Sequence, residues 1–203
     1  NVAYRLGDLS MIYPITRGLS PVLIALGAQF WLGETLPALA WFGVLIVSLG
    51  VLVLTKGIVR GGMSRTGVFA AMGVAVIVAS YSLVDGAGVR LADNAMGYIG
   101  WLYISELTVV LFVFATRWRR LLQMPLKNCM LGYMGGVLSG VAYGLVLYSN
   151  TLAPLAMVSA VRETSVIFAA MIGVMWFGEG PKRRRLLAAV VVSIGIICIG
   201  LAK

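Results

Sequence analysis

The sequence predicts an all-α integral membrane protein built from inverted five-helix repeats, and three observations support this fold class. First, 61% of the 203 residues are hydrophobic and 11% are charged, whereas soluble domains average about 45–50% apolar and about 25% charged residues. Second, the apolar residues form long continuous runs. Third, one sequence phrase occurs twice, 145 positions apart.

Seven apolar runs have the length that a membrane-spanning helix needs. A hydrocarbon core about 30 Å thick requires about 20 helical residues. Strands of a membrane barrel would alternate apolar and polar residues, and these runs do not. The predicted spans are residues 10–32, 37–55, 66–87, 96–116, 129–150, 154–177 and 183–202.

Basic residues are distributed unevenly between the two sides of the predicted bundle. Of the 16 Lys and Arg residues, two lie on one side, Arg90 and Lys203, and twelve lie on the other: Arg5, Lys56, Arg60, Arg65, Arg117, Arg119, Arg120, Lys127 and Lys182–Arg185. Because cytoplasmic loops are enriched in basic residues, the richer side is predicted to be cytoplasmic. The net charge of +9 then indicates orientation in the lipid bilayer, and nucleic acid is not an expected partner.

The duplicated phrase aligns without a gap when the chain is compared with itself at an offset of 145. Arg17 corresponds to Arg162, and Glu34 corresponds to Glu179. Other matched pairs are Ser20 and Ser165, Ala25 and Ala170, Trp31 and Trp176, Gly33 and Gly178, Val47 and Val192, Ser48 and Ser193, and Gly50 and Gly195. An arginine inside a membrane is costly, so its recurrence is the most telling of these matches.

Five predicted spans separate each residue from its counterpart, and an odd number places the two copies in opposite directions across the bilayer. This is the pattern of an inverted-topology repeat. Residues 1–60 are predicted to hold the last two spans of a first repeat, and residues 61–203 are predicted to form a complete second repeat. We expect about three further spans upstream, which would give a ten-span protein.

The repeated segments, SPVLIALGAQFWLGE and SVIFAAMIGVMWFGE, resemble the EamA-type repeat of the drug/metabolite transporter superfamily. In that repeat a proline-containing helix precedes a Gly-Glu pair and a glycine-containing last helix. The phrase YRLGDLSMIYPITRG also resembles a subgroup of bacterial EamA-type proteins. The resemblance covers nearly the whole chain, with two departures. Val166 stands where the first copy has Pro21, and the basic loops place the C-terminus outside the cytoplasm, whereas the family commonly keeps both termini inside.

This resemblance implies a multi-pass secondary transporter of the bacterial inner membrane. It further implies export of a small metabolite, such as an amino acid, a drug-like compound or an organic anion, by alternating access between the repeats. The alternative is a non-transporting membrane component, such as an assembly factor or a sensor subunit.

Charged residues inside the predicted spans are the leading site candidates, because such residues usually mark substrate or ion pathways. Arg17 and Arg162 could bind a carboxylate or phosphate, or pair with an acid that titrates. Alternatively they form a structural ion pair or extend to the interface. Glu163 follows Arg162 directly, about 100° away around a helix, so the two should face different partners, one of them on the helix of Glu106.

Glu106 lies in the middle of an apolar run, so its carboxyl group is expected to be paired or protonated. It could couple transport to protons or bind a substrate amine. Alternatively, it is a structural partner of Arg162 or Arg17.

Asp85, Tyr81 and Ser80 form a predicted polar patch, since residues four apart share a helix face. Alternatively, the DGAG sequence that begins at Asp85 ends its helix. Four aromatic residues could surround a ring of the substrate, or they could be packing and membrane-interface residues. They are Trp101, Tyr103, Tyr143 and Tyr148.

Gly136, Gly140 and Gly144 form a predicted smooth face for a neighbouring helix, within the protomer first and in a homodimer second. Glu34 and Glu179 are predicted to cap or orient tight turns. With no histidine and no nucleotide-binding loop, we expect no cofactor, no metal and no enzymatic activity.

Overall fold

The computed structural model of the chain describes residues 9–53, 65–175 and 182–202. Within these three ranges all regular structure is helical, which confirms the all-α prediction. The helices are α1 (Leu9–Leu32), α2 (Ala38–Val53), α3 (Arg65–Leu91), α4 (Ala95–Leu122), α5 (Leu126–Ser149), α6 (Leu155–Arg162), α7 (Thr164–Met175) and α8 (Lys182–Leu201). The predictions for Trp176, Gly178 and Glu179 lie outside the described residues.

Four helices of the described chain are long and apolar enough to cross a membrane, through the stretches Ile15–Leu32, Thr66–Leu91, Ala95–Arg119 and Leu126–Ser149. Ala38–Val53 and Leu186–Leu201 are shorter apolar helices. Most large apolar side chains of α4 and α5 are exposed, as is suitable for helices surrounded by hydrocarbon, because a helix satisfies its own backbone hydrogen bonds. The chain is therefore an all-α integral membrane protein.

The third predicted span continues beyond its expected end. Helix α3 runs through residues 85–88 to Leu91, so the prediction that DGAG ends the helix is wrong. Glycine is tolerated in membrane helices when neighbouring groups pack against it. Here the ring of Tyr98 lies directly against Gly88, where a larger residue would leave no room for it. The next helix, α4, is capped by Asn94, whose side-chain oxygen accepts from the backbone N–H of Met96 at 3.0 Å.

The sixth predicted span, residues 154–177, is divided at Glu163 into α6 and α7. The expectation of one continuous helix is therefore wrong. The backbone N–H of Glu163 donates to the carbonyl oxygen of Ala160 at 3.1 Å. This bond reaches back three residues, as in a 3₁₀ turn, and the turn separates α6 from α7.

Helices α2 and α8 pack against each other along most of their length. Gly43 of α2 lies against Ile199 of α8, whereas Gly50 lies against Val191. An earlier residue of α2 thus contacts a later residue of α8, and a later residue of α2 contacts an earlier one. The two helices are therefore antiparallel.

The contact between α2 and α8 is also symmetric with respect to the 145-residue offset. A Cβ atom added to Gly195 would lie 2.7 Å from Cγ2 of Val47, and a Cβ atom added to Gly50 would lie 2.7 Å from Cγ2 of Val192. Gly50 and Gly195 are counterparts, as are Val47 and Val192. The same glycine–valine contact thus occurs twice with the two helices exchanged, as a local two-fold axis requires.

The chain divides into two compact units, and the division does not coincide with the predicted repeat boundary near residue 60. One unit is Asp85–Leu152, and the other combines Asn1–Val84 with Ala153–Lys203. In the discontinuous unit, α1, α2, α6 and α8 surround a core that includes the fully buried residues Val44 and Val192.

Candidate functional site

A buried ion pair joins α1 to the turn between α6 and α7. Nη1 of Arg17 donates to Oε1 of Glu163 at 3.0 Å, and the two side chains are 24% and 3% exposed. Both residues lie well inside predicted spans, where an unpaired charge is costly. Arg17 therefore pairs with Glu163.

Two groups at this ion pair remain open to further interactions within the described residues. Oε2 of Glu163 is buried and has no hydrogen-bond partner there. Arg162 is half-buried and forms no hydrogen bond or ion pair with any described residue. The arrangement offers a carboxylate oxygen that can hold a proton and a guanidinium that can bind an anionic group.

The helices that carry Arg17 and Arg162 both depart from regular helical hydrogen bonding close to the arginine. Pro21 follows Arg17 by four residues and has no N–H to donate to the Arg17 carbonyl. Val166, the counterpart of Pro21, restores that donor in the second copy. There the helix itself is divided, by the turn at Glu163 immediately after Arg162. Interrupted helices are a recurrent feature of transporter binding sites, because they expose backbone groups at membrane depth.

Glu34 caps the N-terminus of α6. Its two carboxylate oxygens lie 3.1 and 3.4 Å from the backbone nitrogen of Leu155, which donates to them. Helix α6 has no acidic residue in its first turn, and its own N-cap residue, Pro154, makes no side-chain capping bond. Glu34 reaches this position because Gly33 ends α1 with φ +67°, a left-handed conformation that favours glycine.

Replacing Glu34 with Ala is expected to lower the free energy of unfolding by about 1 kcal/mol, because the first turn of α6 loses its acceptor and its negative charge. For a chain of this size that corresponds to a melting temperature lower by about 2–4 °C, measurable by thermal unfolding in detergent. Thr35→Val, a change at the exposed neighbouring residue, is the control. Equal melting temperatures for the two variants would contradict the cap.

A second polar cluster lies within the unit Asp85–Leu152. The hydroxyl of Tyr143 on α5 donates to Oδ2 of Asp85 at 2.5 Å, and the hydroxyl of Tyr98 on α4 lies 3.5 Å from Oδ1. Asp85 and Tyr143, both predicted site residues, are thus brought together. Ser80, predicted to share a patch with Asp85, donates instead to the carbonyl of Val76 in its own helix, at 2.8 Å.

A groove of about 560 Å³ lies between α4 and α5 in this unit, and its lining residues are Tyr103, Glu106, Tyr133, Gly136, Val137, Ser139, Gly140 and Tyr143. Glu106 supplies the only charged side chain of this lining. Within the unit Asp85–Leu152, the carboxylate forms no hydrogen bond or ion pair with another described residue. We name this cavity the tyrosine groove.

Tyr133 and Ser139 of the tyrosine groove were not predicted from the sequence. A signal for Tyr133 was present, since positions 133, 136, 137, 140 and 143 follow the helical spacing of one face. Trp101, in contrast, is 72% exposed and does not line the groove. It is two residues from Tyr103, which places it about 200° away around α4.

Two of the three aligned glycines on α5 border empty space. Among the described residues of the unit Asp85–Leu152, no atom lies within 4 Å of a Cβ added to Gly136 or Gly140, so no helix of this unit packs closely there, and close packing in a homodimer stays a prediction. Gly144 does have a neighbour, since its added Cβ would lie 3.2 Å from the hydroxyl oxygen of Tyr103. The missing side chains at positions 136 and 140 widen the tyrosine groove.

Comparison with known families accounts for the larger part of the chain. A model of the EamA-like transporter family matches residues 65–201, which include Asp85, Glu106, Arg162 and Glu163. No curated protein matches the chain. The family match covers α3 to α8, and it agrees with the resemblance of the duplicated motif. The chain therefore belongs to the EamA-like transporter family, and it is a membrane protein of the transporter type.

Proposed function

We propose that the protein is a secondary transporter that exports a small metabolite across the bacterial inner membrane by alternating access between inverted repeats. Export, the inner membrane and the metabolite classes (amino acid, drug-like compound or organic anion) follow from the resemblance to EamA-type proteins. Transport by alternating access is supported by the geometry itself.

The observation that carries this proposal is the symmetric contact between α2 and α8. The added Cβ atoms of Gly50 and Gly195 meet Val192 and Val47 at the same distance, 2.7 Å. Antiparallel packing of helices that are counterparts in sequence is what two inverted copies produce where they meet on their pseudo-two-fold axis. Residues 1–60 and 61–203 are the proposed extents of the copies, and the family match over residues 65–201 supports the second.

In this proposal the substrate or coupling ion binds at Arg17, Arg162 and Glu163. Arg162 is half-buried in an apolar segment, and an anionic group would supply the partner that the described residues do not. Glu163 offers the buried oxygen Oε2 to a proton. A proton there would weaken the attraction of Glu163 for Arg17, and this would couple protonation to the helices that the ion pair joins.

Replacing Arg162 with Gln is expected to reduce transport at least about tenfold, since a charge-assisted contact is worth about 1.5–3 kcal/mol. The assay is efflux from cells or uptake into everted vesicles, with the amount of membrane-inserted protein measured in parallel. Arg119→Gln, at an exposed basic residue, is the matched control. Thermal stability should change little, because Arg162 has no ion-pair partner among the described residues.

Unchanged transport by the Arg162→Gln variant would contradict the assignment of the site. A wild-type protein with no thermal stabilisation by any member of a broad metabolite panel would contradict the transporter itself, because a bound ligand stabilises the folded state. That result would favour an assembly or sensor component instead.

A further inference from the structure

We propose that the tyrosine groove binds an organic cation, that is, a protonated amine or quaternary ammonium with apolar substituents. The binding site stands on the geometry of the unit Asp85–Leu152 alone. Its role in transport rests on the proposed function: the organic cation would then be the substrate, and the site at Arg17, Arg162 and Glu163 would bind the coupling ion.

The charge of the groove favours a cation. Glu106 is the only ionisable acid among its lining residues, and no Lys or Arg lines it. Glu106 also has no hydrogen-bond or ion-pair partner among the described residues of the unit Asp85–Leu152. A carboxylate in an apolar segment needs a counter-charge, and a ligand that carries a positive charge would provide it.

Two of the tyrosine hydroxyls that line the groove are not available to an anion. The hydroxyl of Tyr103 donates to the carbonyl oxygen of Gly140 at 2.5 Å, and that of Tyr143 donates to Asp85 at 2.5 Å. Each phenol has a single proton to donate, so these two groups have none left for an anionic ligand. Their rings remain available, and aromatic rings attract cations through their negative faces.

The size of the groove fits a small organic ligand. Its volume of about 560 Å³ lies within the range of about 300–1,000 Å³ that is typical of ligand pockets. Much of this space exists because Gly136 and Gly140 carry no side chains, and no described atom occupies the positions of their Cβ atoms. The tyrosine rings and Glu106 come from two helices, so a ligand would contact both α4 and α5.

The test is equilibrium binding of radiolabelled benzyltrimethylammonium to the purified protein, expressed from its natural gene. We expect saturable binding by the wild type. Glu106→Gln should weaken it about tenfold, because the ion pair in the groove is lost. Tyr133→Leu should weaken it several-fold, whereas Tyr133→Phe, which keeps the ring, should not. Asp93→Asn, at an exposed acid outside the groove, is the charge-matched control.

Several results would overturn the proposal: no saturable binding by the wild type, equal affinities for Glu106→Gln and Asp93→Asn, or equal losses for Tyr133→Leu and Tyr133→Phe. Melting temperatures of all variants identify any that fail to fold. Should a variant fail, Gly136→Leu, which fills the groove without touching the charge, provides an independent test, and it should also abolish binding.

Reconstitution distinguishes a free cation from the ammonium head group of a lipid. In vesicles of phosphatidylglycerol alone, the probe should bind as it does in detergent. Competition by added phosphatidylethanolamine would support a cation site that a lipid head group occupies. A protein that binds the probe but moves no substrate across the vesicle membrane would contradict the proposed function while supporting the groove.

Discussion

Replacing Glu163 with Ala is expected to destabilise the protein by about 3 kcal/mol and to abolish transport. The change leaves Arg17 without the carboxylate 3.0 Å away, and removing one partner of a buried pair costs about 3–5 kcal/mol. The lower end applies because the Arg17 side chain is 24% exposed. Thermal unfolding in detergent should show a melting temperature lower by about 6–12 °C.

A double variant separates the structural role of this ion pair from its functional role. Replacing a buried ion pair by apolar residues of similar size is often neutral or stabilising, so Arg17→Met with Glu163→Met should melt close to the wild type. Transport should remain absent, because neither a proton nor an anion has a site there. A double variant that recovers both stability and transport would show that the pair only holds helices together.

Replacing Gly195 with Ala should destabilise the contact between α2 and α8 by about 2 kcal/mol. The new Cβ atom would lie 2.8 Å from the carbonyl oxygen of Gly43 and 2.9 Å from the backbone nitrogen of Val47. These are backbone atoms of a helix, which cannot move aside cheaply, and overpacking typically costs about 1–3 kcal/mol. The effect is measured by the same unfolding experiment in detergent.

The matched control is Gly200→Ala, on the same helix, where no described atom lies within 4 Å of the added Cβ atom. It should be neutral or stabilising, because Ala favours the helix by up to about 1 kcal/mol over Gly. Gly50→Ala should lose stability like Gly195→Ala, since its added Cβ atom meets Val192 at 2.7 Å. If Gly195→Ala is as stable as Gly200→Ala, the close approach of the two helices is refuted.

The helices could be predicted from the sequence because long apolar runs have few alternatives in a membrane protein. Their ends were less predictable. The criterion of apolar length places a helix end at the first polar or glycine-rich stretch. Helix α3 nevertheless continues through DGAG to Leu91. Helix α4 likewise continues past the kink at Arg117 to Leu122. The division of the sixth span at Glu163 was not predictable, because no proline or glycine lies next to that residue.

Individual site residues were also predictable, because a charged side chain is conspicuous in an apolar run. Arg17, Glu163 and Asp85 were identified in this way, whereas Tyr143 was identified as an aromatic residue. Their pairing was not predictable, since Arg17 and Glu163 are 146 residues apart and their contact depends on the turn between α6 and α7. Spacing on a helix indicates which residues share a face, but not what that face meets.

The aligned glycines of α5 illustrate the same limit. A spacing of four small residues permits a close neighbour, but it equally permits a cavity when no neighbour fills the space. At Gly136 and Gly140 the described residues leave the space open. The sequence pattern predicts a smooth face, and within the unit Asp85–Leu152 that face borders a cavity at these two positions.

The ion pair between Arg17 and Glu163 has no mirror image in the other copy. The counterpart of Glu163 is Gly18, and a Cβ atom there would already lie 2.8 Å from the side chain of Leu52 and 3.1 Å from the carbonyl oxygen of Ser48. In a carrier whose halves exchange conformations, exact symmetry would give the inward-open and outward-open states equal free energies. An unmatched ion pair removes that equality, and each 1.4 kcal/mol of difference changes the ratio of the two populations about tenfold. The binding site of the empty carrier would then be open mainly to one side of the membrane, because the two copies differ in sequence at this ion pair.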